Sequence, residues 1–159
     1  MAITSFRGPW TRLSNYAVCS VWYGDHMYPS TEHAYQAAKF LNEEHQQEIR
    51  NAATANVSKK IARRLEKAGY RRKDWDDVKV DVMRGLLREK FSQEPEQEVL
   101  LKTGDEELVE GNWWGDTFWG QCPVGTGENW LGRLLMELRD ELTTTGTIKA
   151  SVSTVAILD

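Results

Sequence analysis

The sequence predicts a mainly α-helical domain with a small β element near its N-terminus. Two long stretches, residues 74–91 and 129–142, carry apolar residues at helical spacing. Only residues 18–28 alternate apolar and polar side chains in the manner of a strand pair. The 159 residues suffice for one domain with a proper core. We expect that domain to span residues 1–142, with 143–159 as a peripheral or disordered tail rich in Thr, Ser, Val and Ala.

Each N-terminal element has its own local signal. The tetrapeptide at 23–26, Tyr-Gly-Asp-His, marks the turn of a short hairpin. Pro29, Ser30 and Thr31 then supply a helix start, with Glu32 in the first turn, where the helix dipole favours an acid. This helix is expected to run to about Leu41.

The remainder of the chain is interpreted as four more helices and one short strand. Helix starts and stops are indicated by Ser58, Asp74 and Pro95 and by glycines at 69 and 104. Leu108 and Val109 form the expected strand. The expected helices cover residues 58–69, 74–91, 95–104 and 129–142.

Composition indicates an ordinary globular protein. Charged residues make up 28% and hydrophobic residues 40% of the chain, and the net charge is −4. Cys19 and Cys122 cannot build a disulfide scaffold, and the chain has neither an apolar run of membrane-spanning length nor a signal-peptide pattern. We therefore expect a cytoplasmic protein with no membrane partner.

A basic run at residues 59–73 contrasts with the net negative charge. Glu66 is the only acid among its lysines and arginines. One interpretation is a solvated helix face; the other is a positive flank that attracts phosphorylated or nucleic-acid substrates. Charge alone leaves both open, together with a third possibility, a nucleic-acid adaptor whose affinity falls with salt.

The most distinctive segment is the tryptophan loop, residues 110–120. It places Trp113, Trp114 and Trp119 around a single aspartate, Asp116, among three glycines. Indole is a flat, amphipathic ring, so a run of it in a loop predicts a stacking platform for a planar group such as a nucleobase. Asp116 could act on such a stacked group.

The helix that follows the hairpin carries a second candidate constellation. One face holds polar residues at i, i+4 and i+7, namely Glu32, Gln36 and Lys39. Tyr35 lies beside them, and Tyr23 and Tyr28 of the hairpin could wall a cleft. A solvent-facing polar stripe is the competing interpretation. In the functional interpretation, the carboxylate and the lysine are acid–base partners or an anion contact.

Residues 125–129 open the last helix with two glycines, which would let backbone N–H groups approach a phosphate. The alternative is an ordinary loop with Asn129 as a helix cap. The three histidines show no metal-ligand spacing, and no serine has a nucleophile-elbow context. We expect no metal, no cofactor and no covalent serine or cysteine chemistry.

A series of motifs in one order resembles the YbiA-like family, also called NADAR. The motifs cover about residues 6–140 and include Phe6-Arg7-Gly8, Leu13-Ser14-Asn15, the run 28–40, Asp74-Trp75, Lys90-Phe91, the runs 100–105 and 108–112, Trp119-Gly120 and the run 127–139. The doubled Trp113-Trp114 and the 143–159 tail are not features of that family.

The resemblance implies a compact helical fold and N-glycosidase activity. Family members cleave the bond between a base and ribose, in phosphorylated ribosylamino-pyrimidine intermediates of riboflavin synthesis or in ADP-ribose attached to guanine. The implied partner is a small nucleotide-like substrate or, alternatively, ADP-ribosylated nucleic acid. The matching active-site positions are Glu32, Trp75, Asp116 and Trp119, and Lys39 and Asn112 fall in the same motifs.

These residues suit cleavage of an N-glycosidic bond. A carboxylate, Asp116 or Glu32, would stabilise the oxocarbenium-like sugar and activate water while the other supports the leaving base. The base would stack on Trp75 and Trp119, although a core role for Trp75 is equally consistent with its helix. The remaining candidate substrate contacts are Lys39, Asn112, Arg7, Tyr23 and Asn129. The rival hypothesis is a module that binds ADP-ribose or a modified base without cleaving it.

Overall fold

The structure, a computed structural model, describes residues 1–150. Helices dominate it. The strands are β1 (Ala2–Ile3), β2 (Val18–Tyr23), β3 (His26–Ser30) and β4 (Glu107–Leu108). A 3-10 helix covers Gly8–Leu13, and the α-helices are α1 (Thr31–Ala38), α2 (Glu43–Arg50), α3 (Ala55–Lys67), α4 (Trp75–Phe91), α5 (Glu96–Lys102) and α6 (Trp130–Thr145). The predicted fold class, mainly α with a small N-terminal β element, is confirmed.

The described chain forms two compact units. The first unit comprises Met1–Ser14 and Phe91–Ala150, and the second comprises Asn15–Lys90. The expected single domain over 1–142 stays a prediction. The expected tail over 143–159 lies partly outside the described residues.

The second unit begins with the predicted hairpin. β2 and β3 pair antiparallel, with Trp22 opposite Met27 and Tyr23 opposite His26. Alternation along β2 buries Cys19 and Val21 and exposes the residues between them, as the period of a strand requires. β3 leads directly into α1, because the Ser30 side chain caps that helix by accepting a hydrogen bond from the His33 N–H.

Three helices of the second unit differ in extent from the sequence prediction. α1 ends at Ala38, three residues before Leu41. α2 was not predicted at all, because Ile49 is its only buried residue and it has no apolar stripe. α3 begins at Ala55 rather than after Ser58, because Thr54 caps it while the Ser58 hydroxyl donates to the Ala55 carbonyl within the helix.

α4 follows Asp74 as predicted. The Asp74 carbonyl accepts the first helical bond from the Val78 N–H at 3.2 Å, while its carboxylate binds Arg72. The predicted apolar stripe is buried at most of its positions, which are Trp75, Val82, Met83, Leu86, Leu87 and Phe91. Trp75 packs on Tyr35 of α1, with ring centroids 5.2 Å apart, so α4 covers α1.

The first unit joins the N-terminus to the C-terminal third of the chain. β1 pairs in parallel with β4, which confirms the predicted strand at Leu108. α5 starts after Pro95 and ends at Lys102 as expected. Arg12 of the 3-10 helix binds the buried carboxylate of Glu96 at 2.7 Å and so ties the 3-10 helix to α5.

α6 provides the apolar face of the first unit. The predicted leucine stripe is buried at every position, namely Leu131, Leu134, Leu135, Leu138 and Leu142. The helix continues to Thr145 and ends at Gly146, so the first three residues assigned to the tail belong to it. Within the residues described, no helix has the length and apolarity needed to cross a membrane.

Candidate active site

The site residues predicted from the sequence fall into both units. The first unit holds Arg7, Asn112, Asp116, Trp119 and Asn129. The second unit holds Tyr23, Glu32, Lys39 and Trp75.

Backbone hydrogen bonds close the tryptophan loop at its base. The Asn112 N–H donates to the Gln121 carbonyl, and the Gln121 N–H donates to the Glu110 carbonyl, each at 2.9 Å. Gly120 lies at this closure, where a Cβ atom would stand 2.1 Å from the Glu110 carbonyl oxygen. Only glycine fits that approach, so the ends of the loop are held together.

Asn112 and Asp116 hold each other inside the loop. The Asn112 side chain accepts from the Asp116 N–H at 2.9 Å and donates to the Asp116 carbonyl at 2.7 Å. Asp116 Oδ1 in turn accepts from the N–H groups of Phe118 and Trp119, at 3.2 and 2.9 Å. Asn112 is 3% exposed. The amide therefore positions the carboxylate, and Oδ2 of Asp116 takes no hydrogen bond from residues 1–150.

The three tryptophans of the loop have two different environments. Trp113 and Trp114 are 77% and 52% exposed and touch each other edge to face, with centroids 5.9 Å apart. Trp119 is half-buried and packs edge to face on Phe118 at 4.9 Å. Phe118 also stacks on Trp130 of α6. The aromatic surface predicted from the sequence is accordingly exposed at Trp113 and Trp114 and anchored to α6 through Phe118.

A cavity of about 420 Å³ opens beside the loop in the first unit. Its lining includes two site residues predicted from the sequence, Arg7 and Asn112, and the exposed Trp113. Gln121 and Cys122 line it as well. It thus combines a cation, amide groups and an indole, which suits a ligand with an anionic part and a planar part.

The half-buried Cys122 has an unusual thiol. Hydrogen bonds from the backbone N–H groups of Thr126 and Val124 lower its pKa below the ordinary value, because they stabilise the thiolate. No sequence pattern indicates a functional role for Cys122. The glycines within residues 125–127 are the sequence feature that predicts its turn, in which Gly125 adopts φ +82°.

The start of α6 does not offer free amides to a phosphate, contrary to the expectation for residues 125–129. Its backbone N–H groups already donate to loop carbonyls, in the pairs Glu128 to Thr117, Asn129 to Gly120, Trp130 to Phe118 and Leu131 to Trp119. The helix start therefore closes the tryptophan loop.

Asn129 is likewise a structural residue at this junction. Its side chain accepts from the Glu110 N–H at 3.0 Å and donates to the Leu108 carbonyl at 2.9 Å. It is 4% exposed and adopts φ 52°, and it makes no side-chain cap bond to α6. Both ends of its amide thus bond within the protein, and its expected role as a substrate contact stays a prediction.

In the second unit, Glu32 and Gln36 meet as their spacing predicted. Gln36 Nε2 donates to Glu32 Oε1 at 2.7 Å. Both side chains are buried, at 7% and 3% exposure, so the competing solvent-facing interpretation is wrong for these two residues. The Glu32 N–H donates to the Asn15 carbonyl, which places Asn15 beside the start of α1.

Lys39, at the end of α1, is paired within the protein. Its Nζ binds Glu66 of α3 at 2.7 Å and lies 5.5 Å from the centroid of the Tyr35 ring. Its side chain is 14% exposed. Because Glu66 already compensates its charge, an incoming phosphate would have to compete with that carboxylate.

The aromatic residues of the second unit are more buried than a ligand platform would require. Trp75 is 2% and Tyr28 1% exposed, which favours the core interpretation of Trp75 and removes Tyr28 as a cleft wall. Tyr23 remains half-buried, edge to face with Tyr28 at 6.3 Å. Burial raises the pKa of Tyr23, with Arg72 partly opposing the shift, so its hydroxyl is a neutral donor at neutral pH.

His33, in the first turn of α1, is held in one neutral tautomer. Its Nε2 lies 3.0 Å from the Ala52 carbonyl, which can only accept, so Nε2 carries the proton. Its Nδ1 then accepts from the Ser30 hydroxyl at 2.7 Å. Burial lowers the pKa of His33, so the imidazole is neutral at neutral pH.

The basic run divides into paired and unpaired cations. Arg64 binds Glu48, Arg71 binds Asp76 and Arg72 binds Asp74. Exposed Lys60, Arg63 and Lys67 lie on one face of α3, opposite the buried Ala62 and Leu65, and have no ion-pair partner in the described part of the chain. We call these three residues the α3 basic stripe.

The structure also bears on metal binding. Among residues 1–150, no group of three or more His, Cys, Asp or Glu side chains is arranged to hold a metal ion. The expectation that the protein needs no metal stays a prediction.

Comparison with known proteins decides the family. A model of the NADAR domain matches residues 6–143, nearly the whole described chain. The chain belongs to the NADAR family. The N-glycosidase YbiA of Escherichia coli is 41% identical over 131 residues, which cover 82% of this chain and 80% of YbiA. The NMR structure of E. coli YbiA has a TM-score of 0.77 and 36% identity and covers 92% of this chain and 89% of that one.

A second relative is a protein much longer than this chain. A riboflavin biosynthesis protein of Vibrio vulnificus is 41% identical over 131 residues, or 82% of this chain. The chain spans only 35% of that protein's length. These findings confirm the resemblance drawn from the motifs.

Proposed function

We propose that this NADAR protein is an N-glycosidase that hydrolyses the bond between a base, or a base-like amine, and a phosphorylated ribose. The observation that carries the proposal is Asp116. Its carboxylate is fixed by the Asn112 amide and two backbone N–H groups, in a loop with exposed indoles. Such an arrangement presents a preorganised negative charge next to a surface for a planar base. The names of the YbiA relatives supply the same reaction.

The chemistry follows from the bond to be broken. As the C–N bond lengthens, the ribose becomes oxocarbenium-like, and a nearby carboxylate stabilises the positive charge. Water adds to the anomeric carbon, and the base leaves with a proton. We assign Glu32 and Asp116 to these tasks, one stabilising the sugar and activating water and the other supporting the leaving base; each positioned acid or base contributes about 10²–10⁴-fold.

Substrate binding is assigned to the cavity of the first unit and to half-buried aromatic side chains. Arg7 would bind the phosphate, and Trp119 would stack the base with about 1–3 kcal/mol. Tyr23 would donate a hydrogen bond as a neutral phenol. Trp75 and Asn129 are assigned support of the site, and Lys39 a phosphate contact that competes with Glu66.

Two substrate classes fit the proposal. One is a phosphorylated ribosylamino-pyrimidine, which the name of the Vibrio vulnificus relative favours. The other is ADP-ribosylated guanine, free or within nucleic acid, and the α3 basic stripe favours the nucleic-acid form, because its cations are not neutralised by neighbouring acids.

The test is base release followed by mass-detected chromatography. Purified protein would be incubated in parallel with the ribosylamino-pyrimidine phosphate and with ADP-ribosylguanosine, free and within an oligonucleotide. We expect release of a free base or amine from one class. Tight binding of a substrate without release would instead support the alternative, a module that binds ADP-ribose or a modified base.

A further inference from the structure

Two buried acceptor oxygens next to Glu32 have no hydrogen-bond partner among residues 1–150. They are Gln36 Oε1 and Asn15 Oδ1. Both residues contact Glu32 directly, Gln36 through its side chain and Asn15 through its backbone carbonyl. Leaving a buried acceptor without a donor destabilises the folded protein, so both oxygens require an explanation.

The orientation of the Gln36 amide is determined by its partner. The Glu32 carboxylate accepts hydrogen bonds, so it is the Gln36 nitrogen that makes the 2.7 Å contact, and the amide oxygen is left for another donor. Asn15 is constrained in the same manner, because its Nδ2 donates to Met83 Sδ at 3.7 Å. Neither amide can rotate to satisfy its oxygen without breaking the bond that its nitrogen makes.

A carboxylate with unpartnered amide oxygens close by is a site for a small group with more than one donor hydrogen. Water fits, since it carries two O–H donors and is small enough to be held among side chains at most 9% exposed. Hydrolysis of an N-glycosidic bond also consumes one water molecule, which must be oriented at a base.

We propose that Gln36 is a positioning residue that orients the attacking water against Glu32. This inference rests on the proposed N-glycosidase function. Water donates one hydrogen to the Glu32 carboxylate and the other to Gln36 Oε1. Its oxygen then bonds to the anomeric carbon as the C–N bond breaks, the C–N electron pair leaves with the base nitrogen, and Glu32 takes a water proton. The departing base takes up a proton supplied by solvent through the other assigned carboxylate, Asp116, and Glu32 returns its proton to solvent.

The first test compares Gln36→Met with Gln46→Met. Methionine keeps the length of the side chain but removes both the Oε1 acceptor and the Nε2 donor to Glu32. Gln46 is a matched control for the loss of an amide, since its amide donates to the Phe40 carbonyl. We expect Gln36→Met to lower kcat by about 10–100-fold with KM within about twofold, the loss of one oriented hydrogen bond. Gln46→Met should change the melting temperature but not kcat.

A second measurement reads the water directly. In water–methanol mixtures, the ratio of methyl riboside to ribose reports how strongly the site selects water. Gln36→Met should raise that ratio. Gln36→Glu shares one proton with Glu32 and should keep the wild-type ratio, because its protonated carboxyl still donates to Glu32 and retains an acceptor oxygen.

Each outcome separates the inference from the function on which it rests. Wild-type kcat and partition in Gln36→Met would overturn the inference and leave the N-glycosidase intact. An effect on KM that disappears with a 2′-deoxyribosyl substrate would overturn it too, since the oxygen would then bind a ribosyl hydroxyl. No base release by the wild-type protein from any substrate would overturn the proposed function and the inference together.

Discussion

At the scale of single residues, the candidate site depends on the hydrogen bonds that its polar side chains make within the protein. Both ends of the Asn112 side-chain amide bond to the backbone of Asp116, and Asp116 Oδ1 accepts from the N–H groups of Phe118 and Trp119. The sequence places these residues in one loop but gives no sign of which atom binds which. The Glu32–Gln36 bond was predictable, because the i, i+4 spacing brings those side chains together on any α-helix.

Cys122 provides a test of the cavity in the first unit. Its pKa is lowered by backbone N–H groups, so iodoacetamide at neutral pH should alkylate it faster than a free thiol. Cys19, at 7% exposure, should stay unmodified. If substrate binds in the cavity, it should slow the labelling, as peptide mass spectrometry would show. Equal labelling rates with and without substrate would remove the cavity from the proposed site, and Cys122→Ser is the control for labelling at other positions.

His33 predicts a pH dependence of folding stability. Its folded-state pKa lies below the unfolded value of 6.5, so the unfolded chain binds the proton more readily between those two values. The contribution of neutral His33 to the free energy of unfolding should therefore be complete above about pH 6.5. It should be lost as the pH falls through the folded-state pKa. His33→Gln should lack this component in urea titrations between pH 7.5 and about pH 5. An identical pH slope in both proteins would contradict the assignment.

At the scale of elements, apolar periodicity predicted the helices that bury a stripe and missed the one that does not. α4 and α6 bury most of their predicted positions. α2 buries only Ile49, so the cap residue Asn42 is the one sequence feature that could have predicted this helix. Helix starts were ambiguous where two cap residues lay close together, as with Thr54 and Ser58. Tertiary packing decided between them, because Ser58 is buried inside α3.

Asn129 should be a major determinant of stability at the start of α6. Asn129→Ala leaves the Glu110 N–H and the Leu108 carbonyl without partners and puts alanine at φ 52°, at a cost of about 3–5 kcal/mol. Asn129→Gly loses the same bonds without the backbone strain and should cost about 1 kcal/mol less. Urea denaturation measures both, with exposed Asn51→Ala as the control. A cost for Asn129→Ala equal to that of Asn51→Ala would contradict the structural role.

The α3 basic stripe tests whether the substrate is carried by nucleic acid. Reversing its three charges, Lys60→Glu, Arg63→Glu and Lys67→Glu, should leave turnover of a free nucleotide unchanged, because these side chains face away from the core. If the oligonucleotide is the substrate, its KM should rise, and the salt dependence of log K should flatten by about 0.7 per lost phosphate contact. Unchanged kinetics on the oligonucleotide would favour the solvated-face interpretation.

At the scale of the whole molecule, the fold class and the family followed from the sequence, whereas parts of the site did not. Helical periodicity and the order of the motifs carry over the entire chain, so local errors in helix bounds did not affect them. The phosphate role of residues 125–129 stays a prediction, and it has to take account of the N–H groups of residues 128–131, which donate to carbonyls of residues 117–120 that a local motif does not reveal. Site chemistry depends on such long-range partners more than fold class does.

The central claim is that Glu32 and Asp116 carry an N-glycosidase reaction. It is tested most directly by the rate of base release from Glu32→Gln and Asp116→Asn, beside wild type and the exposed-carboxylate controls Glu44→Gln and Asp105→Asn. Asparagine at 116 keeps the Oδ1 acceptor that holds the loop, so folding should be preserved while the charge is lost. We expect each catalytic variant to lose about 10²–10⁴-fold in kcat with the controls unchanged. Wild-type turnover in both folded catalytic variants would contradict the account.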